Sequence, residues 1–319
     1  MDNFADRLLA AIAQKGNPCT IGLDPRLDLI PSFVIDEIRH LPTDDAIRGA
    51  IAGFHRRIIE QVAPLVPVVK LQSAFYEQYG IPGLLAFQDT IECARSHDLI
   101  VVVDAKRNDI DSTARAYADA FLGAADVFGA PRPAFDVDAL TVNGYLGEDS
   151  LEPFARVCAE YGRGIFTLVR TSNPGADDLQ GQKLETGTVA DRMAGFVDRV
   201  GSGLVGRSGY SSVGAVVGAT WPQEAEKLRG LMPRAIILVP GYGHQGGTGD
   251  GAAPNFNTDG LGAIVSSSRS ATYPTGAEAN ASAAAYAAWL DATTRAMVVD
   301  VAAGAKSRSQ GSVASSLDA

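Results

Sequence analysis

The stretch VVVDAKRNDIDST, residues 101–113, sets two acids and a lysine directly behind a run of strand-forming valines. Strand side chains alternate between faces, so Asp104 and Lys106 are expected to point the same way, with Asp109 just beyond on a loop. Charges are almost never fully buried without a partner, so the cluster is either a structural ion pair closing a strand or a functional site. An ordinary lysine titrates near ~10.4, and flanking carboxylates favour its charged form. The chemistry open to such a held ammonium is stabilisation of a developing negative charge, followed by proton donation.

The elements that must position this cluster recur along the chain. β-Branched runs occur at 19–24 (CTIGLD), 67–72 (PVVKLQ), 99–106 (LIVVVDAK) and 139–143 (ALTVN). Four more follow at 164–170 (GIFTLVR), 213–219 (VGAVVGA), 235–241 (AIILVPG) and 263–268 (AIVSSS). Near-continuous apolar strands mark parallel sheets covered by helices. Between them, Ile47, Ile51, Phe54, Ile58 and Val62 are spaced for one helical face. Eight strand–helix units favour a closed (β/α)8 barrel, the TIM-barrel class of α/β folds, over an open doubly wound sheet. A helix over about 3–15 precedes the first strand and is expected to plug the lower mouth of the barrel. The expected organisation is one barrel domain over 1–302 and a disordered tail over 303–319, where large apolar residues thin out to Val313 and Leu317. Residues 173–182, rich in Gly, Asp and Gln, are expected to form a mobile loop.

Active sites of such barrels lie at the carboxyl ends of the strands. Those ends carry Asp24, Lys70, the Asp104–Lys106–Asp109 cluster, Thr141 and Asn143, and Ser172. Strand seven runs into PGYGHQGG, and strand eight finishes in SSSR with Ser268 and Arg269. Each is weak alone; together they put two lysines, three aspartates and an arginine on one rim. Glycine lets backbone N–H groups approach an anion closely, and Gln245 adds an amide donor. Arg269 can take two phosphate oxygens in a fork that lysine cannot supply.

Composition narrows the classes further. Hydrophobic residues make up 46% of the 319 and charged residues 20%, a globular balance with material for one large core. A net charge of −10, with no run of lysine or arginine to offset it, argues against a nucleic-acid surface. Cys19, Cys93 and Cys158 are too few and scattered for a disulfide framework or a zinc cluster, and histidines 40, 55, 97 and 244 show no metal spacing. The amino terminus, MDNFADRLLAAIAQKG, opens with acid rather than a basic n-region, and no stretch approaches the roughly eighteen apolar residues of a membrane span. The chain reads as cytoplasmic, with no membrane or nucleic-acid partner.

The combined motifs resemble the orotidine 5′-phosphate decarboxylase family, in the longer bacterial branch. The family's Asp-x-Lys-x-x-Asp motif with its isoleucine and threonine is matched by Asp104, Lys106, Asp109, Ile110 and Thr113. Lys70 in VVKLQSAFYEQYG matches the lysine of the preceding strand, and Pro240, Gly241, Gly243, Gln245, Gly246 and Gly247 match PGxGxQGG. RTSNPG and SSSR look most like the longer branch, and the match spans roughly residues 18–290. The resemblance implies a lyase of UMP biosynthesis that needs no cofactor or metal and decarboxylates orotidine 5′-phosphate (OMP) to UMP. It assigns the proton donor to Lys106 and a charged tetrad to Lys70, Asp104, Lys106 and Asp109. Asp24 would bind ribose hydroxyls together with Lys70, and Ser172 would read the amide edge of the pyrimidine. Pro240, Gly241, Gln245, Ser268 and Arg269 would form the phosphate side. It also implies a homodimer, because the aspartate matching Asp109, with the neighbouring Ile110 and Thr113, reaches into the other subunit's site. Asn108 and Asp111 flank Asp109 where this branch often has glycine.

Two rivals remain. Sugar-phosphate decarboxylases or synthases on the same barrel use Mg²⁺ and carry an extra acid on strand two, where this chain has Lys70. A catalytically silent phosphate-binding barrel would be expected to lack Lys106 or one of the aspartates. Arg170 could face the site or form an inter-strand ion pair; Asp136 and Asp138 read as structural, and Trp221 as helix packing.

Overall fold

The computed structural model describes residues 2–219, 221–243 and 246–315, with side chains as far as Ser309. Eight parallel strands close a barrel in sequence order: β1 (Cys19–Gly22), β2 (Val68–Gln72), β3 (Ile100–Arg107), β4 (Ala139–Val142), β5 (Gly164–Arg170), β6 (Ser211–Val217), β7 (Ala235–Pro240) and β8 (Ala263–Ser267). Closure comes from β8 pairing with β1, Val265 opposite Cys19. Helix α1 (Phe4–Lys15) precedes the barrel. The connections carry α2 (Thr43–Val62), α3 (Gly80–Ser96), α4 (Asp111–Phe121), α5 (Glu152–Tyr161), α6 (Val189–Gly201) and α7 (Pro222–Leu231). After β7 come a short helix, Gly249–Ala252, and a 3-10 turn, Ala253–Asn255; after β8 come one helical turn, Arg269–Thr272, and the long α8 (Ala283–Ser315). Among the described residues no helix is long and apolar enough to cross a membrane.

Two cores result from the two faces of the sheet. The outer one packs strand residues such as Val69, Val101 and Val103 against the helices. The inner one joins Val68, Ile100, Val102, Phe166, Leu238 and Ile264 to Phe4, Leu8 and Ile12 of α1, which therefore stops the amino-terminal mouth of the barrel. A twelve-residue helix is marginal in water alone, but each fully buried large apolar side chain contributes roughly 1.5–3 kcal/mol. Phe4 meets Phe166 edge-on at 6.0 Å, and a Cβ on Gly164 would fall 2.1 Å from the Phe4 ring. The plug needs that glycine.

Three segments differ from expectation. A two-stranded hairpin, Ala125–Val127 with Ala130–Arg132, interrupts the connection between α4 and β4. Its strands are short and largely exposed, so they carry no apolar alternation; Phe128 and Gly129 turn it with φ of 57° and 87°, as a primed turn requires. The expected disordered tail is helical from 303 to 315, whereas 316–319 lie outside the described residues. Burial explains this: the stripe Tyr286, Leu290, Met297, Val301 continues into Ala305, and Arg308 pairs with Glu226 at 2.9 Å. Residues 173–182, expected as a mobile loop, contain a 3-10 turn, Pro174–Asp178, and Gln180 accepts from the Thr171 backbone N–H at 2.8 Å.

Candidate active site

Period-two alternation in β2 sends Lys70 and Gln72 to one face, and β3 sets Asp104 beside Gln72. Asp104 is the hub. Its Oδ2 accepts from Lys70 Nζ at 3.4 Å and Gln72 Nε2 at 3.0 Å. Its Oδ1 accepts from Lys106 Nζ at 2.7 Å and Thr141 Oγ1 at 2.9 Å. Lys70 also lies 3.9 Å from Asp24, whose Oδ1 accepts from the Gln72 backbone N–H at 3.2 Å.

Burial alone would raise the Asp104 carboxyl, but the Lys70 and Lys106 ammonium charges and the Lys106 and Thr141 hydrogen bonds hold it down at about 2. Burial alone would likewise discharge Lys70; Asp24 and Asp104 outweigh it and hold the ammonium above its usual range. Both groups are therefore charged at neutral pH. The lysines differ in access, since the Lys106 side chain is 44% exposed and that of Lys70 only 6%. Lys106 is the more exposed of the two, whereas Lys70 and Asp104 line the cavity and Lys106 meets it through its bond to Asp104.

The end of β3 is irregular. Its register with β4 shifts between Val103 and Arg107, and Lys106 takes φ 49°. The Lys106 N–H is held by Thr141 Oγ1 at 2.9 Å, and the next guanidinium, Arg107, is tied to Glu77. Asp111 takes φ 46°, the left-handed conformation that glycine would supply at this position.

Asp24, Lys70 and Asp104 line one cavity of about 200 Å³ with Pro240, Gly241, Ser268 and Arg269. These sequence-predicted residues from β1, β2, β3, β7 and β8 thus meet at the carboxyl mouth. Ser266 of β8 lines it too, and Arg26, Phe75, Tyr242 and Tyr273 complete the wall. These last four were not foreseen, because they sit on turns and short helices beyond the strand ends. Gln72 was missed although its spacing from Lys70 was a usable signal.

Other expected residues stand apart. Ser172 lies at the end of β5 against Gly218, where a Cβ on the glycine would come within 3.0 Å of Ser172 Cβ, and it is outside the cavity lining. Asp109 accepts from the Ile110 N–H at 2.8 Å, and among the described residues no ion pair joins it to Lys106. Ile110 is 54% exposed and Thr113 is exposed; neither lines the cavity of its own barrel. Gln245 and His244 lie outside the described residues. Arg170 is fully buried, stacked 4.2 Å over Trp221 and paired with Glu224 and Asp177, so it is an ion pair behind the site. Asp136 and Asp138 pair with Arg163, away from the cavity.

The profile of the orotidine 5′-phosphate decarboxylase / HUMPS family matches residues 54–284, which include Lys70, all of β3 and Arg269. The chain belongs to this family. Its similarity to individual decarboxylases extends beyond that segment. It is 43% identical to orotidine 5′-phosphate decarboxylase of Rhodopirellula baltica over 298 residues, covering 93% of this chain and 97% of that protein. It is 38% identical to that of Caldicellulosiruptor saccharolyticus over 275 residues, covering 86% and 90%. The solved structure of Leishmania donovani OMP decarboxylase superposes with a TM-score of 0.70 at 26% identity, covering 95% of this chain and 98% of that one. The barrel is thus that of the orotidine 5′-phosphate decarboxylase / HUMPS family.

Proposed function

We propose that the chain decarboxylates OMP to UMP in the cytoplasm, without metal or cofactor. The observation that carries this is a Lys106 ammonium, 44% exposed and held 2.7 Å from Asp104, whose carboxylate lines a cavity walled by Gly241 and Arg269. In the reaction the C6–carboxylate bond of the pyrimidine breaks, its electron pair stays on C6 and CO₂ leaves. Lys106 stabilises the developing carbanion and gives C6 one proton, and solvent reprotonates the lysine. Asp104 keeps the ammonium aimed before reaction, so little reorganisation is needed as charge develops. Lys70 balances Asp104 and Asp24, leaving Asp24 to accept from ribose hydroxyls. Arg269, with Ser268 and the loop from Pro240 and Gly241 through Gln245, binds the phosphodianion, and Ser172 reads the ring's amide edge once substrate is bound.

The same reading includes a homodimer in which Asp109, Ile110 and Thr113 of one protomer complete the site of its partner. Asp109 makes no ion pair with its own Lys106 among the described residues, and neither Ile110, which is 54% exposed, nor Thr113 lines the cavity of its own barrel. The family name also covers a second group of barrels, the metal-dependent synthases. Two ammonium groups around Asp104 disfavour a divalent cation there, since they already neutralise the available carboxylates.

Purified protein with OMP and excess EDTA should consume the orotate absorbance and yield UMP. Activity that vanishes on chelation and returns with Mg²⁺, or no turnover of OMP at all, would overturn the proposal.

A further inference from the structure

Helix α8 reaches the rim from outside the barrel. One oxygen of Asp300, Oδ2, accepts from Tyr242 Oη at 2.9 Å and from the Gly249 backbone N–H at 2.8 Å. These donors stand at opposite ends of the glycine-rich loop behind β7. Tyr242 lines the cavity beside Gly241 and Arg269, and Gly249 opens the short helix that ends the loop. Backbone contact at the same place leaves no slack. A Cβ on Gly249 would lie 2.2 Å from the Asp300 carbonyl oxygen, and one on Gly304 2.2 Å from the Gly249 carbonyl oxygen. Within the loop, Gly243 N–H donates to Gly247 O at 2.9 Å and Gly247 N–H to Gly241 O at 3.2 Å. Ser267 Oγ donates to Tyr242 O at 3.4 Å and meets Ser270 Oγ at 3.0 Å, which links the loop to the strand end carrying Arg269.

We infer that Asp300 is a positioning residue that staples the two ends of this loop and so sets the affinity for the phosphate of the substrate. The inference rests on the proposed role of the loop and Arg269 as the phosphate side of an OMP site. The physical reason is that a loop with its ends free must lose conformational freedom when it closes on an anion, whereas a stapled one has lost it already. A carboxylate suits the task because bonds to an ionised acceptor are about twice as strong as neutral ones. Burial, the hydrogen bond to Asp300 and the charge of Asp300 all push the Tyr242 phenol up, so it remains a donor.

A residue that merely anchors α8 would affect every substrate alike. A staple on the phosphate loop affects only what depends on phosphate. Asp300→Ala should raise KM for OMP by ~10-fold or more with kcat within about twofold, the pattern of lost uniform binding. Its turnover of orotidine, which lacks the phosphate, should equal the parent's, and phosphite should activate that turnover less. Asp300→Asn, which keeps an acceptor, and Tyr242→Phe, which removes one donor, should fall between parent and Asp300→Ala. An unchanged KM for OMP in Asp300→Ala, or an equal loss with orotidine and OMP, would overturn the staple. Inorganic phosphate titrated into parent and Asp300→Asn gives a readout that needs no turnover. Weaker binding by the variant supports the staple; equal affinities refute it. Failure of the parent to turn over OMP would count against the proposed function, leaving the phosphate titration to decide on Asp300.

Discussion

Replacing Asp104 by asparagine keeps the side chain's shape and removes the charge on which both lysines converge. In the folded protein this carboxyl sits at about 2 against an ordinary 3.8. At ~1.4 kcal/mol per unit, its ionised form contributes roughly 2 kcal/mol of stability at neutral pH. The side chain is only 14% exposed, so solvent screening removes little of this. Because the folded value is the lower one, the contribution is complete above the unfolded value and is lost as pH falls through the folded one, with about half gone by pH 3. A second cost comes from Lys70, which is left buried with Asp24 at 3.9 Å; removing one member of a buried pair costs ~3–5 kcal/mol. Urea unfolding of parent and Asp104→Asn should therefore differ by ~2–5 kcal/mol at pH 7, and the difference should shrink by about 1 kcal/mol on going to pH 3. Turnover of OMP should fall by at least ~10²-fold, the scale for losing a preorganised charge. Equal stability at pH 7 would refute the paired, buried carboxylate, and a difference that stays constant with pH would refute its depressed titration.

Lys106→Ala should abolish turnover with the fold intact by circular dichroism, because this exposed lysine is the proposed donor to C6; near-parental rates would remove it from that role. Arg269→Ala should raise KM for OMP by about 10- to 100-fold, the equivalent of losing a charge-assisted hydrogen bond of ~1.5–3 kcal/mol. An unaltered KM would place the phosphate elsewhere. Asp109→Ala and Lys106→Ala homodimers should each be nearly inactive, yet mixing them under subunit exchange should restore one complete site per heterodimer and activity toward half the parental value. Heterodimers confirmed by native mass spectrometry that stay inactive would rule out a site shared across the two-fold.

Much of the fold was legible because buried parallel strands advertise themselves. All eight barrel strands fall within two residues of the β-branched runs, and Asp24, Lys70, Asp104 and Arg269 reach one cavity because strand ends in a closed barrel converge. What escaped lacked a periodic signal. The hairpin around Phe128 is too short to alternate, and Arg26, Phe75 and Tyr273 reach the cavity from loops and a short helix whose direction no strand period fixes. The helical end of the chain beyond residue 302 was missed for another reason. Its buried stripe passes from Val301 to Ala305, and alanine counts little on a search for large apolar residues although it is the best helix former. Asp300, just before that tail and within the expected barrel, carries no spacing signal for its contact with the loop after β7.

The meeting of Asp104 and Lys106 was anticipated from strand alternation, and the structure reaches it by a different route. Regular pleating would carry β3 straight through Lys106, but the ladder with β4 is already out of register there and Lys106 sits at φ 49°. For a residue other than glycine, that conformation persists only when the surroundings hold it. Thr141 does so from the next strand: its hydroxyl donates to Asp104 Oδ1 at 2.9 Å while its oxygen accepts the Lys106 N–H at 2.9 Å. One threonine thus fixes both the carboxylate of Asp104 and the backbone of the lysine paired with it. The turn lifts the Lys106 side chain out of the wall to 44% exposure while its ammonium stays 2.7 Å from Asp104. The broken register and the positive φ thus set two lysines of one array apart: Lys70 lies almost wholly buried in the wall of the cavity, and Lys106 is 44% exposed near the end of β3.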